Sequence, residues 1–392
     1  MNKSMVYLQS GGPTTVINSS LYGAIIEAKK HPEIEHIFGS RYGIEGLLND
    51  EVILLDDIND EKLSLLKQTP GSALGSSRHK LKEEDYPKLL QTILKHNIGY
   101  VFVNGGNDSM DTCTKLGQFF ANRNLDIKVI GIPKTIDNDL VRTDHTPGFA
   151  SSARYVINAT KSIVADALAY KKGKIVLIEV MGRDAGWNAA STDLLKEPYR
   201  PDFIYFKENG FDYEIALKEI SEKRKEKGHC VVVISEGIEL PHDNALEKDD
   251  FGHINFEGVS NEFAKMLKRD SGYEVRAIAL SIPERSFSSL RSGVDQKEAI
   301  EVARFAVLKA LEGESQKMVT IVRDSSSPYK IHYELTDAKD VANHIKMIPD
   351  EFLFDHTRLS DKFRTYMAPL ISDIEEKTKD KAGIIEFFDL DN

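Results

Sequence analysis

The sequence predicts an α/β protein whose mostly parallel, doubly wound sheets are covered by helices on both sides. Two observations carry that expectation. Short apolar runs of strand length alternate with longer stretches of helical periodicity along most of the 392 residues. A single unit, apolar strand, glycine-bearing or polar turn, helix, recurs at several places, which is how parallel strands are connected.

The elements follow in order. Met5-Val6-Tyr7-Leu8 reads as a strand broken by Ser10-Gly11-Gly12-Pro13, after which Ile17, Leu21, Ala24 and Ala28 mark one face of a helix. The unit returns at Tyr100-Val101-Phe102-Val103, where Asn104-Gly105-Gly106 leads to a helix expected from Ser109. Val129 to Ile132 and Ile175 to Ile178 repeat the strand, the second followed by Met181-Gly182-Arg183, and a valine-rich run from His229 to Ser235 ends in Glu236-Gly237. A helix through Ile300, Ala303, Val307 and Ala310 stops at Gly313, a C-cap residue, before the strand Met318 to Val322. Pro241 to Gly252 reads as an exposed insertion and the charged run Glu375 to Lys381 as a solvated helix face.

Composition narrows the function. At roughly 150 residues per domain the length suggests two or three domains. With 51 Lys and Arg against 62 Asp and Glu, the formal charge is −11, which argues against a nucleic-acid partner because phosphate backbones need a broad basic face. Small anionic substrates stay open, since a few cations in a cleft set the local field. Cys113 and Cys230 stand in unrelated contexts and offer neither a disulfide framework nor a cysteine metal site. No stretch approaches the apolar length of a membrane span, and the first residues reach glycine too soon for a signal peptide, so a cytoplasmic protein is expected.

In open α/β sheets ligands bind beyond the carboxyl ends of strands, so the loops at those ends matter most. Neither GxxxxGK[ST] nor GxGxxG occurs, and HExxH and GxSxG are also missing. The pairs Gly11-Gly12 and Gly105-Gly106 lie between strand and helix, where bare amides receive an anion; a sterically tight turn is the alternative. Lys134 to Asp139 sets a cation, a hydroxyl and two carboxylates within six residues. Phosphoryl transfer to a sugar hydroxyl needs those groups, a carboxylate for the proton, cations on the phosphate and carboxylates for magnesium; an Asx-rich turn capping the next helix is the alternative. Arg183 offers a planar fork suited to phosphate, or else a structural ion pair with Asp184 or another carboxylate. Glu236 ends a buried strand, where a carboxylate requires partners such as ligand hydroxyls. Arg78, Arg276 and Arg285 say little singly.

Together and in this order, these segments resemble the phosphofructokinase family. The resemblance rests on Ser10-Gly11-Gly12, Gly75-Ser76-Ser77-Arg78, Gly105-Gly106-Asn107-Asp108-Ser109, Pro133 through Asp139, Met181-Gly182-Arg183, Ser235-Glu236-Gly237 and the pair Arg276 and Arg285. It covers most of the chain, up to Met318 to Arg323. It implies two Rossmann-like lobes between which the chain crosses more than once: residues 1–148 with about 286–338 for the phosphoryl donor, and 149–285 with about 339–392 for the sugar phosphate.

The resemblance also implies roles. Asp137 would take the proton of the sugar 1-hydroxyl, with Thr135 on the transferred phosphoryl group and Lys134 and Arg183 completing the catalytic set. Asp139, with Asn107, would hold Mg2+. Gly11, Gly12, Arg78, Gly106, Asp108 and Lys134 would line the donor site. Met181, Gly182, Arg183, Glu236 and Arg285 would hold fructose 6-phosphate together with Thr135 and Asp137. Lys174 and Arg276 match basic positions that a neighbouring subunit contributes in the family, so a homodimer or homotetramer is implied.

Asp108 and Lys134 further resemble the pyrophosphate-using branch, where ATP-using members typically carry glycine at both positions. A carboxylate occupies and charges the space of a nucleotide α-phosphate, while the lysine adds a cation for pyrophosphate. The expected reaction makes fructose 1,6-bisphosphate from pyrophosphate, reversibly, with an ATP-dependent kinase or a non-catalytic sugar-phosphate-binding subunit as alternatives. The sequence departs from the family at Asn107, where many relatives carry aspartate, and at Ile282-Pro283, where a histidine or tyrosine often stands near the sugar phosphate. Sedoheptulose 7-phosphate is therefore the alternative sugar.

Overall fold

Continuous apolar strands need a core on each side, and the fold supplies two. The computed structural model describes residues 2–241 and 258–372. All but Pro241 of the expected insertion, and the whole of the run from Glu375 to Lys381, lie outside them.

The chain first lays down β1 (Lys3–Gln9), β2 (Ile34–Ser40), β3 (Val52–Leu54), β4 (Ile98–Gly105) and β5 (Lys128–Pro133). It then builds β6 (Ile175–Val180), β7 (Phe203–Tyr205), β8 (Cys230–Ser235) and β9 (Val275–Ala279), and ends with β10 (Lys317–Ser326) and β11 (Tyr329–Asp337). One seven-stranded sheet runs β11-β10-β5-β4-β1-β2-β3, parallel except at the two edge pairs; a second runs β7-β8-β6-β9, parallel throughout.

Strand β1 shows why the runs are unbroken. Met5 and Tyr7 pack with Leu21 and Ala24 of the helix Ile17–Ala28, whereas Val6 and Leu8 pack with Met110, Cys113 and Leu116 of the helix Asn107–Ala121. Alternate side chains enter different cores, and each fully buried aliphatic contributes about 1.5–3 kcal/mol. Strand β6 divides likewise, Ile175 and Leu177 to one side, Val176, Ile178 and Val180 to the other. The helix Gly293–Leu311 returns to the first sheet and crosses Ile17–Ala28 so closely that a Cβ on Gly23 would meet the Ile300 carbonyl oxygen at 2.3 Å.

The helix expected from Ser109 begins at Asn107, after Gly106 in an extended conformation. Asn and Asp favour turns, which makes Asn107-Asp108 read as loop; here they occupy the first helical turn, where a carboxylate is favoured by the positive helix end. Gly313 has φ +99 and ends its helix as expected.

Helix Phe149–Leu168 packs on the second sheet, as do Leu359, Phe363 and Met367. Val341 and Ala342 pack in a core of the first. We propose that the sheets mark the two lobes, with the last crossing after Ala342 rather than at 338.

Where the segments meet, His145 is enclosed between Asp144 (2.7 Å) and Glu298 (2.5 Å), and Arg323 reaches the same Asp144 at 2.8 Å. Burial alone would lower the imidazole pKa, but Glu298 and Asp144 outweigh it and raise it to about 9. A pKa raised on folding stabilises fully below the unfolded value near 6.5 and ceases to do so as pH rises through 9. Between pH 6.5 and 9.5 the stabilisation that His145 supplies is therefore expected to fall by the equivalent of a few kcal/mol, read as a gap in thermal midpoint between the parent and His145→Gln that narrows as pH rises. Equal slopes in the two proteins would refute the account.

Among the described residues no helix is long and apolar enough to cross a membrane.

Candidate active site

Five strand ends open onto one cleft of about 470 Å³. Strand β1 delivers Gly11 and Gly12, β4 delivers Gly106, Asn107 and Asp108, and β5 delivers Lys134, Thr135, Asp137 and Asp139. From the second sheet, β6 delivers Met181 and Arg183, and β8 delivers Glu236. Arg78 and Arg285 complete the predicted set on the cleft wall. A parallel sheet sends successive strands the same way, so their carboxyl-end loops converge without further contrivance.

The first wall is knitted by backbone. Ser10 bridges Ser77, Gly11 N–H donates to the Ser77 carbonyl (3.1 Å), and Ser76 Oγ donates to the Gly11 carbonyl (2.6 Å), which sets Arg78 beside the glycine loop. Lys134 Nζ donates to the Gly12 carbonyl at 2.7 Å, and a Cβ on Gly12 would lie 3.1 Å from an Arg285 nitrogen. The Lys134 pKa is lowered to about 8, first by burial, with Asp137 and Asp139 opposing and Arg285 and Arg78 adding to the fall. An arriving polyanion would restore the charge.

The turn after β5 caps no helix, since the next one begins at Phe149. Thr135 Oγ1 accepts from Asp137 N–H (3.1 Å), and Thr146 Oγ donates to the Thr135 carbonyl (2.8 Å). Asp137 is pushed well above the usual carboxylate range, first by desolvation, then by Asp139, Glu236 and Asp184, with Lys134 opposing. Asp139 is raised too, chiefly by desolvation.

A divalent cation fits one part of this wall. Asn107 Nδ2 is 3.5 Å from Asp139 Oδ2, and the Oδ1 atoms of both residues are buried with no hydrogen-bond partner. Two orphaned oxygens on facing side chains suit a hard cation whose other ligands are phosphate oxygens and water. Among the described residues no group of three or more His, Cys, Asp or Glu could hold a metal alone.

On the second sheet's side, Met181 N–H donates to both oxygens of buried Glu284 (3.0 and 3.1 Å), and Gly182 N–H donates to Glu236 Oε1 (3.3 Å). Gly182 has φ +135, and an added Cβ would stand 2.7 Å from the Ala185 carbonyl, so only glycine presents its amide here. Arg183 and Asp184 both line the cleft and form no ion pair with each other. The pairing with Asp184 named as an alternative for Arg183 is therefore not formed.

Two predicted residues lie elsewhere. Lys174 precedes β6 at the opposite end from the cleft, and Arg276 pairs with Val176 on the edge strand β9; both are exposed. The cleft also contains residues the sequence did not single out. Asp111, Thr112 and Lys115 continue the face of Asp108 along its helix, a spacing legible as i, i+3, i+4 and i+7. His79 and Lys80 follow Arg78, and Lys80 Nζ lies 3.7 Å from Asp108 Oδ1. Asn343 on the wall, and Glu284 buried behind the Met181 amide, carried no local signal.

A family model described as phosphofructokinase matches residues 4–307. The pyrophosphate–fructose 6-phosphate 1-phosphotransferase of Halomonas elongata is 36% identical over 380 residues, 93% of this chain and 91% of that protein. The protein of the same name from Xanthomonas campestris pv. campestris is 36% identical over 406 aligned residues, 100% of this chain and 97% of its own. Among solved structures, the pyrophosphate-dependent phosphofructokinase from Nitrosospira multiformis superposes with a TM-score of 0.89 at 35% identity, covering 98% of this chain and 95% of that one.

Proposed function

This chain belongs to the phosphofructokinase family, and from that premise we infer that it is a phosphotransferase moving a phosphoryl group from pyrophosphate to the 1-hydroxyl of fructose 6-phosphate. The products are fructose 1,6-bisphosphate and phosphate. One observation carries the assignment of roles: the desolvated Asp137 carboxyl shares a six-residue turn with Lys134 and lines one cleft with Arg183 and Glu236.

The chemistry follows from that arrangement. Asp137 accepts the proton of the 1-hydroxyl as the oxygen bonds to phosphorus, the bridging P–O bond breaks, and phosphate leaves with that electron pair. Lys134, Arg78 and the N-terminus of the helix Asn107–Ala121 face the donor, holding its charge in place throughout the transfer. Arg183, Glu236 and Met181 orient the sugar phosphate from a loop whose Met181 and Gly182 amides are pinned by Glu284 and Glu236, so the hydroxyl starts close to the phosphorus. Asn107 and Asp139 would hold Mg2+, which when bound neutralises phosphate oxygens and favours departure of the leaving group.

Donor choice rests on Asp108 and Lys134. At saturating fructose 6-phosphate and Mg2+, turnover with pyrophosphate is expected to exceed turnover with ATP, and faster turnover with ATP would overturn the reading. Lys134→Gly should cost pyrophosphate use about 1.5–3 kcal/mol in kcat/KM, the worth of a charged hydrogen bond. Asp108→Gly should also weaken pyrophosphate use; indifference to both changes contradicts the assignment.

Lys174 and Arg276 serve a neighbouring copy in this proposal, which makes the working protein a homodimer or homotetramer, a mass that light scattering reads. Cys113 and Cys230 are free and buried, which agrees with a cytoplasmic setting.

A further inference from the structure

The turn that carries Asp137 and Asp139 is held from behind by the C-terminal part of the chain. Between the two aspartates, Asn138 adopts φ +55, a left-handed conformation that asparagine tolerates better than most residues, and its side chain is wholly buried. Both ends of its amide are engaged: Nδ2 donates to Tyr366 Oη (3.2 Å), while Oδ1 accepts from Thr146 N–H (3.1 Å) and from Lys346 Nζ (3.0 Å). Lys346 Nζ also donates to the carbonyls of Asp144 (2.9 Å) and Thr143 (3.2 Å), and Lys346 N–H donates to the Asp139 carbonyl (2.7 Å). Tyr366 Oη donates in turn to the Asp144 carbonyl (2.9 Å). Neither Lys346 nor Tyr366 lines the cleft. Both follow residue 307, where the family match ends.

We propose that Lys346, backed by Tyr366, is a positioning residue that fixes the Asn138 turn and so sets Asp137 and Asp139 toward the reacting hydroxyl and phosphate. The side chain of Lys346 reaches three oxygens on both sides of the turn, two of them on the strap 143–144 that leads back toward Phe149. Its own carbonyl accepts from Trp187 Nε1 (3.1 Å), which ties the clamp to the second sheet's side of the cleft. A turn held at both ends and from beneath cannot tilt to follow solvent. Without Lys346, the Thr143 carbonyl loses its ammonium donor, Asn138 Oδ1 keeps only Thr146 N–H and the Asp144 carbonyl keeps only Tyr366 Oη, so the left-handed asparagine can relax. A displacement of about 1 Å at a reacting carboxylate costs roughly 10²-fold in rate.

The inference rests on the reading of Asp137 as the proton acceptor, and the experiment separates the two. Lys346→Met is expected to lower kcat by about 10–100-fold, with KM for fructose 6-phosphate and pyrophosphate within about threefold of the parent. Lys346→Arg, which keeps a cationic donor, should recover at least part of the loss. Tyr366→Phe, which deletes a single hydroxyl, should lower kcat by less and keeps the test alive if Lys346→Met does not fold. Ile220→Ala, a core change on the helix Tyr213–Lys227 in a core that holds neither clamp residue, should lower the thermal midpoint with kcat unchanged. Unaltered kcat in Lys346→Met and Tyr366→Phe overturns the inference, as does a fall in kcat matched by Ile220→Ala at equal loss of thermal stability. A parent protein that does not turn over pyrophosphate at all instead overturns the function itself.

Discussion

Asp137→Asn is expected to lose about 10²–10⁴-fold in turnover while fructose 6-phosphate binding stays close to that of the parent. The change conserves size and removes the charge and with it the ability to take a proton. The carboxyl it replaces is tuned for that task. Desolvation and the neighbouring Asp139, Glu236 and Asp184 push it well above the usual carboxylate range, and Lys134 limits the rise. A base whose pKa approaches the working pH is the better acceptor for an alcohol proton. The same desolvation costs stability whenever the group is ionised, so the variant should melt no lower than the parent. Single-turnover kinetics with a separate sugar-binding titration would check both halves. Turnover within a few-fold of the parent would remove Asp137 from its role.

Arg183→Ala is expected to cost about 2.7–4 kcal/mol in kcat/KM for fructose 6-phosphate, the scale of losing one preorganised anion donor. Arg183 follows a glycine whose φ of +135 no other residue adopts comfortably, on a loop held by Glu284 and Glu236. That loop is rigid before substrate arrives, so little of the contact energy is spent on ordering it. The guanidinium lines the cleft without pairing to its neighbour Asp184, leaving its fork for an anion. A loss confined to the thermal midpoint, with kcat/KM intact, would assign Arg183 to structure instead.

Most of the site was legible because its parts are local. Strand, turn and first helical residues lie within ten positions of one another, so Gly105 to Asp108 or Lys134 to Asp139 announce both their backbone and their chemistry. Asn107 and Asp108 were the exception. Their turn-forming character concealed that they open a helix, because the sequence does not reveal which groups meet the helix end.

What the amino-acid order determined alone was the strand pattern, the loops that line the cleft and the kind of reaction, each encoded in contiguous residues. Tertiary structure alone decided which distant groups meet them. Glu284 accepts from Met181 across 103 residues, and Lys346 reaches Asn138 across 208. Such pairs carry no periodicity or spacing signal; they form because packing of the two sheets brings the strand ends into register and because a buried amide must find a partner wherever the chain supplies one.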